Sequence, residues 1–255
     1  MATSTAADQA GWYVYGIVPA DTEPPRGMRT IGDGRGATLV RSGTIAALTS
    51  PVPIDVPIGT PDDLVAHQKM LDAVAERAAV LPMRFGAVLA TDDAVQRGLL
   101  EPHRDEFAAA LDKFAGKVQF LVAGRYVQAA VLTEVLNENA EAVELAAAIR
   151  GEDELATRDL RIRLGEVVNA AVAAKREADT AAFATAIEPC CEAISRREAG
   201  HEDDAVDLAL LVDRDREDDL RRSVQEAAAR WRDRVAFRLL GPMAPYDFVV
   251  ASHGG

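Results

Sequence analysis

An α+β fold of two ferredoxin-like-related sandwich domains, each an antiparallel sheet covered by helices, is the class this sequence predicts. Three observations carry that reading. Runs dense in β-formers, GWYVYGIVP at 11–19 and KVQFLVAGRYVQ at 117–128, each open one half of the chain and give way to helical periodicity. From 117 to 241 the elements read β-α-β-β-α-β, the ferredoxin-like order. Apolar residues make up 49% of the 255 positions but aromatics only 5%. The cores must then draw on Ala, Val and Leu, which favours helices packed closely on sheets. The expected divisions are a disordered tail at 1–10, an N-terminal α+β domain at 11–115, a ferredoxin-like domain at 116–241 and an extended tail at 242–255.

In the first half, the strand 11–19 ends at Pro19, and a Pro/Gly-rich loop runs from Asp21 to Gly36. TLVRSGTIAALTS at 38–50 is two apolar runs broken at Ser42-Gly43, the pattern of a tight hairpin. PVPIDVPIG at 51–59 holds three prolines and reads as a connector, because proline cannot donate to a central ladder. A helix is expected over 61–79, capped by Thr60, with Asp62 and Asp63 in its first turn where the helix dipole favours anions. Its inward stripe is Leu64, Leu71, Val74 and Ala78. A strand at 80–90 and a helix from Asp92 to Phe114 complete this half.

Gly116 marks the boundary. Beyond the strand at 117–128, helical sequence spans 131–149, breaks at Gly151 and resumes over 154–186. The long helix is expected to bury Leu160, Leu164, Val167, Ala171, Ala178 and Ala182, an amphipathic face without a sustained heptad. A strand within 187–198 is confined to a sheet edge or a strand start by Pro189. AVDLALLVDR at 205–214 alternates, with Val206, Leu208, Leu210 and Val212 on one face. A charged helix at 215–231 and a last strand at 234–241 follow.

Composition narrows the partners. With 41 acidic against 28 basic residues the formal charge is −13, a balance that repels nucleic acid and anionic headgroups. Apolar runs are short and broken, so no spanning segment is expected, and MATSTAADQA has neither a basic end nor an apolar core of a secretory leader. The adjacent Cys190 and Cys191 cannot build a disulfide scaffold, and a reducing cytoplasm suits them.

Sites of chemistry are sparse. Gly32, Gly34 and Gly36 in IGDGRGA do not open a helix and match neither GxGxxG nor GxxxxGK[ST], so a flexible turn explains them. His67 lies on the inward stripe of its helix and reads as a satisfied, partly buried histidine rather than a ligand. His201 with Glu202, Asp203 and Asp204 lacks EF-hand spacing and reads as a solvated loop. Cys190 and Cys191 lack a second pair for zinc and a local basic pocket. No triad can be drawn around Ser195. Neither a catalytic group, a cofactor nor a metal is called for.

Two segments stand out as surfaces. In LPMRFG, Leu81, Met83 and Phe85 alternate onto one face and Arg84 falls on the other. There it is either a solvent-face charge paired with a helix carboxylate or a partner-binding arginine. In GPMAPYDFVV two prolines fix an extended stretch, and Tyr246 and Phe248 either anchor it to the chain's own surface or insert into another subunit. Arg84, Phe85, Tyr246 and Phe248 are the candidate partner interface.

Several stretches occur in an order that resembles the gas vesicle protein F/L family. They are WYVYGIVP, VLPMRFGAVLATDDAV, GKVQFLVAGRYV, RIRLGEVVNAAVAAKREAD, and DLALLVDRDREDDLRRSV through VAFRLLGPMAPYDFV, between Trp12 and Val249. One departure is Gln119, where many members carry an acidic residue. The resemblance implies two ferredoxin-related α+β parts and no enzymatic activity or cofactor. It also implies an accessory or minor structural protein of gas vesicles that binds the small hydrophobic shell protein (GvpA-type), and possible other accessory proteins, and assists nucleation and assembly. Its expected place is the gas vesicle, with the cytoplasm before assembly. The competing reading is a ferredoxin-like module that binds a small molecule for sensing or catalysis, since this fold hosts many functions.

Overall fold

A computed structural model of the chain describes residues 10–32, 36–53, 57–231 and 233–249. The expected tail at 1–10 lies outside the described residues except for Ala10. The chain separates into two compact units, Met1–Gln119 with Gly241–Gly255, and Phe120–Leu240.

The first unit is organised around β1 (Ala10–Pro19). β2 (Thr38–Ser42) and β3 (Ile45–Pro53) form the expected hairpin, and the sheet order is β2-β3-β1-β4, with β5 also paired to β1. Tyr13, Val14, Tyr15, Ile17 and Val18 of β1 are fully buried, so both faces of this strand are covered. The connector expected at 51–59 begins later than predicted, because β3 runs on to Pro53 and pairs Pro51 with Trp12 and Pro53 with Ala10. The prolines are tolerated because β2 ends at the Thr38–Thr49 pair. Among the described residues no strand pairs with the second side of β3 beyond Thr49, and two prolines two residues apart turn their missing N–H groups to that same side.

The single strand expected at 80–90 is instead two short pairings, β4 (Leu81–Pro82) and β5 (Val88–Leu89). β1 is irregular between Val14 and Gly16. Met83 N–H donates to Tyr15 O and Val14 N–H to Ala87 O, so residues 83–87 leave the ladder as a loop. Gly86 at φ +91° makes the turn, a backbone shape that only glycine adopts freely. Gly16 is required for a second reason: a Cβ there would sit 2.7 Å from Leu81 O.

Helix α1 (Pro61–Ala75) begins with a capping box, in which Asp63 N–H donates to Thr60 Oγ1 and the Asp63 carboxylate accepts from Thr60 N–H. The helix ends four residues earlier than expected. It buries Ala66, His67, Met70, Leu71, Val74 and Ala75, while Leu64 is half exposed. The predicted 92–114 helix is interrupted. Thr91 caps a π-helical segment, Ala94–Leu100, and α2 (Arg104–Phe114) starts after Pro102, which lacks the N–H a continuous helix needs.

The second unit has the ferredoxin-like arrangement that the sequence predicts. β6 (Lys117–Tyr126), β7 (Ala193–Arg196), β8 (Asp204–Asp213) and β9 (Val235–Met243) lie in the order β7-β8-β6-β9. β7 lies at the sheet edge, within the stretch expected to hold a strand, but Pro189 falls before it in a 3-10 turn, Glu188–Cys190, and α6 (Glu217–Ala229) joins β8 to β9. The first crossover is enlarged to three helices, α3 (Gln128–Glu138), α4 (Ala140–Ile149) and α5 (Arg158–Ile187). The continuous helix expected at 131–149 breaks because the Asn139 side chain accepts from Ala142 N–H and starts α4 afresh.

The single face expected of α5 fails for a physical reason. Its first half packs Leu164, Val167, Val168 and Ala171 with residues of α3 and α4, whereas its second half buries Thr180, Phe183 and Ile187. Ala178 and Ala182 are exposed. The last strand continues through Pro242 to Met243; of the tail expected to be extended, Tyr246–Val249 forms a helical turn, α7, and 250–255 lie outside the described residues. Among the described residues no helix is long and apolar enough to cross a membrane.

Candidate partner interface

The loop that carries Arg84 and Phe85 is held from below by neutral polar groups. Tyr13 and Tyr15, two residues apart on β1, project to the same side as His67 of α1. The Tyr13 hydroxyl lies 2.9 Å from His67 Nδ1 and accepts from Gly86 N–H at 3.2 Å. Its own proton therefore goes to Nδ1. The imidazole also bonds the backbone of Met83, which places the ring proton on Nε2 and the Met83 carbonyl as its acceptor. Burial lowers the His67 pKa below its ordinary 6.5 and keeps it the neutral partner this arrangement needs. Burial likewise pushes the Tyr13 phenol up to about 12.

A parallel circuit orders the neighbouring loop. Tyr15 Oη accepts from Ile31 N–H at 2.7 Å and bonds Ser50 Oγ at 3.0 Å, and Ser50 donates to Ile31 O at 2.8 Å. Gly32 follows directly, and a Cβ there would meet Pro51 O at 2.4 Å. A close approach of backbones accounts for this glycine, and Gly34 lies outside the described residues.

Of the four sequence candidates, Arg84 is exposed at the loop, and among the described residues no carboxylate pairs with it. Phe85 is half buried, its ring 6.1 Å from Tyr13 and 5.7 Å from His67 between centroids. Tyr246 packs on the same core cluster as Phe85, and Phe248 is half buried in α7. The structure thus brings Phe85 and Tyr246 onto one cluster of the first unit and leaves Arg84 at its surface.

The other sequence features are engaged locally. Asp204 accepts from His201 N–H at 2.8 Å and faces Arg125 at 3.4 Å. Among the described residues no group of three His, Cys, Asp or Glu side chains is placed to hold a metal. Cys190 Sγ lies 3.1 Å from Ser223 Oγ, and burial pushes the Cys191 thiol up to about 12, the opposite of an activated nucleophile. A cavity of about 340 Å³ lies beside α5, β7 and β8. Its arginines are already committed: Arg196 to Glu177, Arg197 to Asp207, and Arg176 to the carbonyls of Glu202 and Asp204.

Sequence reasoning missed an ion network in the second unit. Arg234 bonds Glu134 at 2.6 Å and Asp179 at 2.7 Å, Tyr126 donates to Asp179 at 2.5 Å, and Lys175 reaches Glu134 at 3.2 Å and Glu138 at 2.6 Å. The partners are up to 100 residues apart, and charged residues are too common here for any pair to stand out. It missed the exposure of several apolar side chains too. Of the nine exposed large hydrophobic residues among those described, Val127, Leu136, Val143, Leu155, Leu160 and Ile162 all fall in 127–162, the enlarged crossover.

Two α+β units, each an antiparallel sheet with helices packed on it, define the class of protein. The family model for gas vesicle synthesis protein GvpL/GvpF matches residues 11–250. Gas vesicle protein F of Streptomyces sp. (strain CB03234) is 32% identical over 243 residues, covering 93% of this chain and 98% of that protein. Gas vesicle protein L of the same strain is 28% identical, covering 92% and 91%. The crystal structure of GvpF from Anabaena sp. PCC7120 superposes with a TM-score of 0.80 at 20% identity, covering 94% of this chain and 98% of that one. GvpF from Microcystis aeruginosa gives 0.74 at 21%. The chain belongs to the GvpL/GvpF family of gas vesicle proteins and has a role in gas vesicle formation.

Proposed function

We propose that this chain is a non-enzymatic accessory protein that binds the small hydrophobic shell protein (GvpA-type), keeps it from aggregating and delivers it to the nucleating vesicle. Other gas vesicle accessory proteins are further candidate partners, and the complex forms in the cytoplasm before assembly. The observation that carries this reading is the exposure of apolar side chains along the enlarged crossover. In a chain of net charge −13, six exposed large hydrophobics gather within 127–162, and Leu155 is 86% exposed. Asp153 Oδ1 accepts from the N–H groups of Leu155 and Ala156, so the turn that displays Leu155 is fixed.

Apolar surface on a highly charged protein marks a site for an apolar partner, while the surrounding charge keeps the complex in solution. A binder that covers a sticky subunit lowers its free concentration and so its aggregation. Arg84 supplies a polar contact on the first unit, with Phe85, Tyr246 and Phe248 shaping the surface around it. Co-expression with a shell subunit, followed by pull-down from the soluble fraction, tests the proposal. A soluble complex is expected, weakened by the Leu155→Ser, Ile162→Ser double variant. Shell protein that stays insoluble beside abundant folded chain would refute it.

A further inference from the structure

The last described residues group with the first unit, although the strand that leads into them belongs, up to Leu240, to the second. Their seat is specific. Ala244 N–H donates to Asp72 Oδ1 at 3.0 Å, and Asp247 N–H to Gln119 Oε1 at 3.0 Å. Gln119 Nε2 returns a bond to Asp247 Oδ2 at 2.6 Å. Ala244 is fully buried, and Tyr246 packs on the core cluster of Tyr13, Met70 and Val80. One feature of the seat is imperfect: Tyr246 Oη is buried and has no hydrogen-bond partner among the described residues, and a buried hydroxyl without a partner favours release into water.

From these contacts we infer that residues 244–249 form a releasable latch, and that its groove on the first unit accepts the same segment from a second copy of the chain. A short element of about six residues beyond the last strand opens without disturbing the sheets, as local unfolding does. Its seat recognises this sequence through a backbone N–H, an aromatic ring and a carboxylate, so a second copy presents the same ligand. Exchange of an identical element links copies with no new surface. The inference stands apart from the shell-protein reading, because it invokes only this chain.

Hydrogen exchange on the full chain measures the release. The Ala244 and Asp247 amides are expected to exchange at least about 100-fold faster than that of Val14. Tyr246→Phe, which removes the unpartnered hydroxyl, is expected to slow them. Equal rates at all three positions would show that the segment opens only with the whole unit, and would overturn the latch. For exchange between copies, p-benzoylphenylalanine replaces Phe248 and isotopically heavy and light chains are mixed before irradiation. Heavy–light cross-links onto the first unit that rise with concentration are expected. Cross-links confined to copies of one isotope at every concentration would overturn the exchange.

Discussion

The two units settle the same problem, how to fix a functional surface, with different chemistry. In the first, the groups beneath the 83–87 loop and the neighbouring Ile31 loop are neutral: two tyrosines, a serine and an imidazole held uncharged by burial. In the second, the helices that carry exposed apolar residues are tied by Arg234, Lys175, Glu134, Glu138 and Asp179. A neutral network does not depend on salt but depends on every hydrogen bond being made. An ionic network tolerates rearrangement and weakens as salt screens it. The contrast teaches that a tight loop is positioned by directional bonds, and a set of long helices by charge.

The largest effect that would sharpen this comparison is expected at Arg234. Arg234→Met leaves Asp179 and Glu134 without their shared partner, and their side chains are 14% and 29% exposed. Breaking a largely buried pair costs about 3 kcal/mol, to be read from urea unfolding. The loss should shrink in molar salt, and a salt-independent loss would mean that packing rather than charge is at stake.

Tyr13→Phe comes next. It removes the donor to His67 and the acceptor of Gly86 N–H, at a cost of about 2 kcal/mol for groups left unsatisfied. That loss should not change with salt. Hydrogen exchange at Gly86 should quicken, whereas the amides of α5 should not respond.

A smaller effect is expected from acid. The folded pKa of His67 lies below the ordinary 6.5, so the unfolded chain binds the proton first. The contribution of this group is complete above about pH 6.5 and is lost as pH falls through its lowered folded value. Asp72 works in the opposite sense: burial raises its pKa above 3.8, so protonation favours the folded state at still lower pH. Replacing His67 by Phe should flatten the slope below pH 6.5, and an unchanged slope would assign it elsewhere.

Least of all, Arg84→Ala should leave stability within about 0.5 kcal/mol, as exposed positions do. It should slow association with the shell protein, measured as a lower on-rate at low salt. No change in that rate would remove Arg84 from the interface.

Much of the fold was legible because local signals agree with tertiary ones. The Thr60 cap, the hairpin at 38–50, the alternation of 205–214 and the β-α-β-β-α-β order of the second unit all appear in the structure. The misses share a cause. The 80–90 segment alternates like a strand, but an irregularity in its partner β1 ejects residues 83–87, and nothing in LPMRFG reports what happens at Val14–Gly16. The face of α5 changes partners halfway along, which one periodicity cannot express.

The candidate surface was legible only in part. Arg84 and Phe85 stood out as a short motif, and Tyr246 as a rare aromatic. Leu160 was expected on the buried face of an amphipathic helix, and Leu155 and Ile162 did not stand out, since a sequence does not say which apolar residues are left uncovered.

The most direct measurement of the central claim is light scattering from purified shell protein diluted out of denaturant, with and without this chain at equal molarity. The account predicts that scattering is suppressed by the intact chain and restored when Leu155 and Ile162 are both replaced by serine. Aggregation at the same rate in the presence of folded chain would contradict it.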